Sequence, residues 1–259
     1  MTQLLNAHNF GEPSNKPTLL IAHGLFGSGR NWRAIARRFS ADRKVITVDM
    51  RNHAASFWDD DHSYHAMADD LEKMLNTIAG PVDVLGHSMG GKAAMVLALR
   101  NPANLNRLLV ADIAPIAYAH SQISNIDIMR SLDLSQITRR SEADALLKDK
   151  LPEEASRAFL LQSLYLSENG NRWTLNLDAL ANNMDKIVGF PQVMGHFNNQ
   201  TLFIKGGASE YILPSYMDTI NELFPNVELV EIPNAAHWVH AENPRAFIGV
   251  VADFLDQPI

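Results

Sequence analysis

Between Val84 and Met95 the chain reads VLGHSMGGKAAM, an apolar run that breaks into glycines around one serine. Gly86, Ser88 and Gly90 fit the pattern G-x-S-x-G, and Gly91 extends the patch of small residues. The preceding PVDVL is nearly all apolar, as expected of a strand covered on both faces. The following KAAMVLALR is a helix former that ends at Asn101 and Pro102. A strand that turns this tightly into a helix forces its central residue into strained backbone, and only small neighbours fit where the two meet. The serine oxygen then stands above the strand end, where the free N–H groups of the helix favour a developing anion. In that context the pattern points to a nucleophilic serine. The alternative is an ordinary structural turn.

Outward from this turn, strands and helices alternate. PTLLIAHG (17–24) and KVITVDM (44–50) read as buried strands, and LNRLLVADIAP (105–115) as another. NWRAIARRFS (31–40) has helical spacing, and Met67, Leu71, Met74, Leu75 and Ile78 form one helical stripe. This order predicts an α/β fold with a parallel sheet. From 118 to 192 the pattern becomes amphipathic helix without a convincing strand. Alternation then resumes with NQTLFIKGG, PSYMDTINELFP, NVELVEIPNA and NPRAFIGVVADFLDQP. The expected organisation is one core, 1–117 and 193–259, with a helical cap, 118–192, inserted in it.

The chain has 259 residues, 46% of them hydrophobic, enough for one large core. A formal charge of -7 with scattered basic residues argues against nucleic acid and acidic membrane surfaces as partners. The absence of cysteine excludes disulfides, thiolate metal sites and cysteine nucleophiles. The N-terminal stretch lacks the form of a secretory signal, and no apolar run is long enough to span a membrane, so a cytoplasmic protein is expected.

A serine hydroxyl needs a base. His237 and His240 lie in IPNAAHWVHAENP. His237 falls in the loop after a strand and is the expected base, while His240 enters the final helix. The order nucleophile, acid, histidine leaves two positions for the acid: Asp112, at the end of RLLVAD, and Glu210, in the loop after TLFIKGG. Asp112 has the shorter side chain on the more rigid element, and Ser209 offers a supporting hydrogen bond. The oxyanion needs two backbone donors: Met89, next to the nucleophile, and Leu25, in the glycine-rich loop HGLFGSG. His23 is expected to order that loop. Asp49, Arg51, Asn52 and His53 in DMRNHAAS are expected to brace the next one. Trp238 is either a wall of the substrate pocket or a packing anchor. His62 and His65 in DDDHSYH have weak metal-ligand spacing, and a solvated turn is the preferred reading. No metal or organic cofactor is implied.

Together HGLFGSGRNW, DMRNH, GHSMGGKAAM, DIAP, NNMDKIVGFP, FIKGGASEYI and NAAHWVHAENP resemble the alpha/beta-hydrolase fold family. More narrowly they look like a bacterial esterase/thioesterase subfamily with mitochondrial abhydrolase relatives. The resemblance runs from about Pro17 to Leu255. It implies a mostly parallel eight-stranded sheet flanked by helices, with a helical cap after the sixth strand. It places the nucleophile on Ser88, the base on His237 and the oxyanion donors on Leu25 and Met89. In this subfamily the acid follows the sixth strand, which is Asp112 here. The activity implied is hydrolysis of carboxylic esters or acyl-CoA thioesters, by a monomer or dimer. Rival readings are a carbon–carbon bond hydrolase or acyltransferase of the same fold, and a non-catalytic binding protein.

Overall fold

The computed structural model describes residues 3–258. The chain termini, residues 1–2 and 259, lie outside the described residues, so the outer limits expected for the core are not assessed there. Among the described residues, nine strands and eleven α-helices follow one another. They are β1 (Ala7–Phe10), β2 (Thr18–Ala22), α1 (Arg33–Phe39), β3 (Val45–Val48), α2 (Tyr64–Leu75), β4 (Val82–His87), α3 (Met89–Leu99) and β5 (Leu105–Ala111). Next come α4 (Ile123–Arg130), α5 (Arg140–Leu147), α6 (Glu154–Leu161), β6 (Leu164–Tyr165), β7 (Arg172–Trp173), α7 (Leu177–Asn182) and α8 (Met184–Val188). The chain closes with β8 (Thr201–Gly206), α9 (Met217–Leu223), β9 (Val227–Ile232), α10 (Val239–Glu242) and α11 (Pro244–Leu255).

Seven strands form the main sheet in the order β1-β3-β2-β4-β5-β8-β9. Every pairing in it is parallel except β1 with β3. The central strands β2, β3 and β4 are buried at every position, which explains their unbroken apolar runs. One face is covered by α2, α3 and α9, with Leu71, Met95 and Ile220 in its core. The other is covered by α1 and α11, with Ile35, Phe247 and Phe254. Helix α3 is buried on all sides, so it lacks a polar stripe. Helix α2 starts at Tyr64, three residues before its apolar stripe, because the Ser63 hydroxyl caps the Ala66 N–H.

Two expectations need correction. The main sheet has seven strands among the described residues, not eight. The segment before β1 is held by the loop after β3: Asp49 N–H donates to the Asn6 carbonyl at 2.9 Å, and Asn6 N–H to Ser56 Oγ at 2.9 Å. Those bonds tie residue 6 to a loop rather than to a further strand. The strand before the helical block is therefore the fifth of this chain. Second, residues 118–192 are not purely helical. A two-stranded antiparallel ribbon, β6 with β7, lies between α6 and α7. Helices α4 to α8 otherwise share their own apolar cluster, which includes Ile126, Met129, Leu160, Leu180 and Met184.

Candidate active site

The parallel strands of the sheet end on one side, and the turns that follow them meet there. Ser88 sits between β4 and α3 with φ 51° and ψ −119°, a conformation that L residues rarely adopt. The close approach of strand and helix explains the flanking glycines. A Cβ on Gly86 would lie 2.4 Å from the Gly90 carbonyl oxygen, and one on Gly90 would lie 2.5 Å from that of His23. Both clashes are with backbone, which cannot swing aside.

The Ser88 hydroxyl donates to His237 Nε2 at 3.0 Å. His237 lies in the loop between β9 and α10, and its Nδ1–H donates to Asp112 Oδ2 at 2.8 Å. Asp112 follows β5 and is fully buried, with φ 50°. Its carboxylate also accepts from Gly206 N–H at 2.9 Å and from the Ser209 hydroxyl at 2.5 Å. These bonds fix the carboxylate so that Oδ2 meets both the imidazole and the Ser209 hydroxyl. Glu210 is exposed and, among the described residues, makes no hydrogen bond to His237. The structure thus brings Ser88, His237, Asp112 and Ser209 together and leaves Glu210 outside.

Two aromatic rings pack against the His237 ring. Tyr211 stacks on it with centroids 3.9 Å apart and planes at 25°. His87 lies at 4.8 Å and donates through Nε2–H to the His237 carbonyl at 2.9 Å. His240, in the short helix α10 rather than the final helix, stacks on Trp32 at 4.1 Å. Burial, followed by the neighbouring His237, pushes His87 well below the usual histidine range and His240 to about 3. Burial therefore favours the neutral imidazole at both His87 and His240.

Leu25 and Phe26 form the corner of a turn closed by Gly27 N–H donating to the Gly24 carbonyl at 3.0 Å. Phe26 has φ 64°. A Cβ on Gly24 would lie 3.2 Å from that of Ser88, so glycine is what lets this turn press against the serine. Met89 is the first residue of α3, whose opening N–H groups have no partner within the helix. His23 donates through Nδ1–H to the Gly24 carbonyl at 2.7 Å and accepts Met50 N–H on Nε2 at 2.9 Å, the loop-ordering role expected of it.

Ser88, Leu25 and Met89 line a cavity of ≈ 300 Å³, to which the helical block contributes Phe159, Leu160, Ile187 and Val188. Trp238 forms part of its wall and packs on Phe159 at 5.3 Å. Lys92 also lines it, and sequence reasoning missed this residue, one turn beyond the serine. Its ammonium donates to the carbonyls of Ile116 at 2.8 Å, Val188 at 2.9 Å and Gly189 at 2.6 Å, and burial pushes its pKa down to about 7. His62 departs from expectation altogether. It is fully buried, not on a solvated turn, because Asn52 and Met89 supply polar partners for its ring. His65 is exposed on α2, beside Arg100. Among the described residues no group of three or more histidine or acidic side chains is placed to hold a metal ion.

Residues 17–244 match the family model described as alpha/beta hydrolase fold. The chain belongs to this family. An esterase from a marine microorganism superimposes on it with a TM-score of 0.92 at 35% identity, over 98% of this chain and 100% of that one. The chain is 40% identical to the sn-1-specific diacylglycerol lipase ABHD11 of Mus musculus, over 92% of its length and 81% of the relative's. It is 36% identical to esterase YbfF of Escherichia coli, over 97% and 95% of the two chains. Among the described residues of this hydrolase-family chain, no helix is long and apolar enough to cross a membrane.

Proposed function

We propose that the protein is a serine hydrolase that cleaves carboxylic esters through an acyl intermediate on Ser88. His237 takes the serine proton as Ser88 attacks the carbonyl. Leu25 and Met89 N–H groups hold the tetrahedral oxyanion. His237 then protonates the leaving alcohol and activates the water that releases the acid. Asp112 keeps the imidazole in the Nδ1–H tautomer and stabilises its charged form, with Ser209 as a further donor to the carboxylate. Trp238 contacts the acyl or alcohol group.

The observation that carries this reading is the unbroken line from Ser88 through His237 to Asp112, with bonds of 3.0 and 2.8 Å. The names of the esterase and lipase relatives support the same chemistry. Acyl-CoA thioesters would meet the same machinery. Simple esters are favoured because Lys92, the one lysine or arginine among the described lining residues, is engaged by three carbonyls and has no donor left for a phosphate. The proposal also takes 118–192 as a cap on the core formed by 1–117 and 193–259. It further takes the protein as a cytoplasmic one, in keeping with the cysteine-free sequence.

The test is a panel of p-nitrophenyl esters and acyl-CoAs of graded length, with wild type and Ser88→Ala. Ester turnover should fall by at least about 10⁴-fold in the variant while its unfolding midpoint holds. Turnover near the wild-type rate would overturn the reading.

A further inference from the structure

Several buried imidazoles take no part in the acyl-transfer cycle above. Among them, His23 and His53 have ring centroids 5.1 Å apart, and His53 and His62 5.6 Å apart. His53 and His62 belong to the loop between β3 and α2. Their hydrogen-bond partners fix their tautomers. His53 Nδ1–H donates to the Arg51 carbonyl at 2.8 Å, so Nε2 is free to accept Phe26 N–H at 3.2 Å. Asn52 donates to His62 Nδ1 at 3.1 Å, so Nε2–H faces Met89 Sδ at 3.3 Å. One imidazole therefore grips the residue after Leu25, and the other grips the side chain of Met89.

The helical block touches the same loop. Asn176 N–H donates to the Asn52 carbonyl at 3.0 Å, and its Nδ2–H to Asn52 Oδ1 at 3.0 Å. Leu175 bridges His53 through backbone. Asn183 Nδ2–H donates to the Asp60 carbonyl at 2.8 Å. The Phe26 side chain is buried in the block's own apolar cluster. The loop is held in unusual backbone, with φ 64° at Asn52 and 49° at Ala54, which persists only where the surroundings over-determine it.

We propose that His53 and His62 are positioning residues that aim the two oxyanion donors, and that Asn176 makes their alignment depend on the seating of the helical block. This rests on the reading of Leu25 and Met89 as the donors. A ring of any polarity would fill the space. Only one that accepts at Nε2 fixes the Phe26 N–H, and with it the peptide plane beside Leu25. Burial supports the neutral state this requires: His53 is pushed well below the usual range and His62 to about 3.

The experiment compares His53→Leu, His53→Gln and Asn176→Ala with wild type. It reads kcat and KM for a p-nitrophenyl ester, and the Ki of a trifluoromethyl ketone that forms an oxyanion on Ser88. Leucine removes the acceptor, whereas glutamine can restore an oxygen near the Nε2 position. The expected result for His53→Leu is a fall in kcat of about 10–100-fold, with KM within about threefold. The Ki should rise by a similar factor, and glutamine should recover most of the loss. A folded His53→Leu with kcat within about twofold of wild type, or a loss that glutamine leaves in place, overturns the proposal. If the leucine variant does not fold, Asn176→Ala decides: a kcat loss of about threefold or more at unchanged KM supports the proposal, and an unchanged kcat overturns it. A fluorophosphonate titration of wild type separates the two levels. Failure to label Ser88 removes the reading beneath, while full labelling with an insensitive His53 removes this inference alone.

Discussion

Acidification should unfold this protein through its buried histidines. His23, His53, His62, His87 and His240 are all buried, and burial lowers the pKa of each. A histidine in the unfolded chain titrates near 6.5, whereas His62 and His240 are pushed to about 3. Between those values the unfolded chain binds protons that the folded chain refuses, so stability falls as the pH drops below about 6.5. At pH 5 each of these two histidines costs about 2 kcal/mol relative to neutral pH, or about 4 kcal/mol for the pair. His23, His53 and His87 shift in the same direction and add to the loss. Asp83 opposes it, because burial raises its carboxyl, so the folded state takes up that proton first. Against a total stability of about 5–15 kcal/mol, the net effect is large. Urea unfolding at pH 7.5, 6 and 5 should show a falling midpoint at constant m value. His240→Phe isolates one contribution, since phenylalanine can keep the stack on Trp32 and His240 Nδ1 has no hydrogen-bond partner to lose. In that variant the loss between pH 7.5 and 5 should shrink by about 2 kcal/mol. A midpoint that ignores pH, or a variant with the wild-type slope, would refute the reasoning.

Other outcomes follow from the same contacts. Asp112→Asn should lower kcat by about 10⁴-fold, as expected when an imidazole loses its tautomer partner, while Glu210→Gln stays within about twofold. A large loss for Glu210→Gln instead would reverse the assignment of the acid. Gly90→Ala should cost about 3 kcal/mol or prevent folding, because its Cβ meets the backbone of β2; an unchanged urea midpoint would contradict this. Phe159→Ala should widen the cavity opposite Trp238 and raise kcat/KM for longer acyl esters about tenfold relative to short ones. An unaltered chain-length profile would show that Phe159 does not limit the pocket.

The buried strands were legible because each is apolar on both faces, and the turn at Ser88 because its glycines answer a local steric demand. Helix α3 was equally plain, since nothing in it faces water. The ribbon β6–β7 was not legible: two residues per strand are too few for a period of two to show. β1 also escaped notice, since AHNF is only partly buried at the sheet edge and has no apolar run. Ser88, Asp112 and His237 were singled out by chain order and by their position after strands, and the fold brings the three within hydrogen-bond distance of one another in sequence, with the Ser209 hydroxyl 2.5 Å from Asp112. His62 was misread because DDDHSYH looks hydrated in sequence, and only the packing of the chain turns His62 and Tyr64 inward. Lys92 was missed for a similar reason. Its partners are carbonyls from residues 116, 188 and 189, and backbone acceptors leave no mark in a sequence.

The central claim is that Ser88 is the nucleophile activated by His237. Its most direct test is treatment of the folded protein with a fluorophosphonate, followed by intact mass and peptide mapping. The account predicts one adduct per chain, on Ser88, with loss of ester turnover in step with labelling and greatly slowed labelling in His237→Ala. An unlabelled Ser88 in a protein that hydrolyses esters, or an adduct on another residue that tracks the loss of activity, would contradict it.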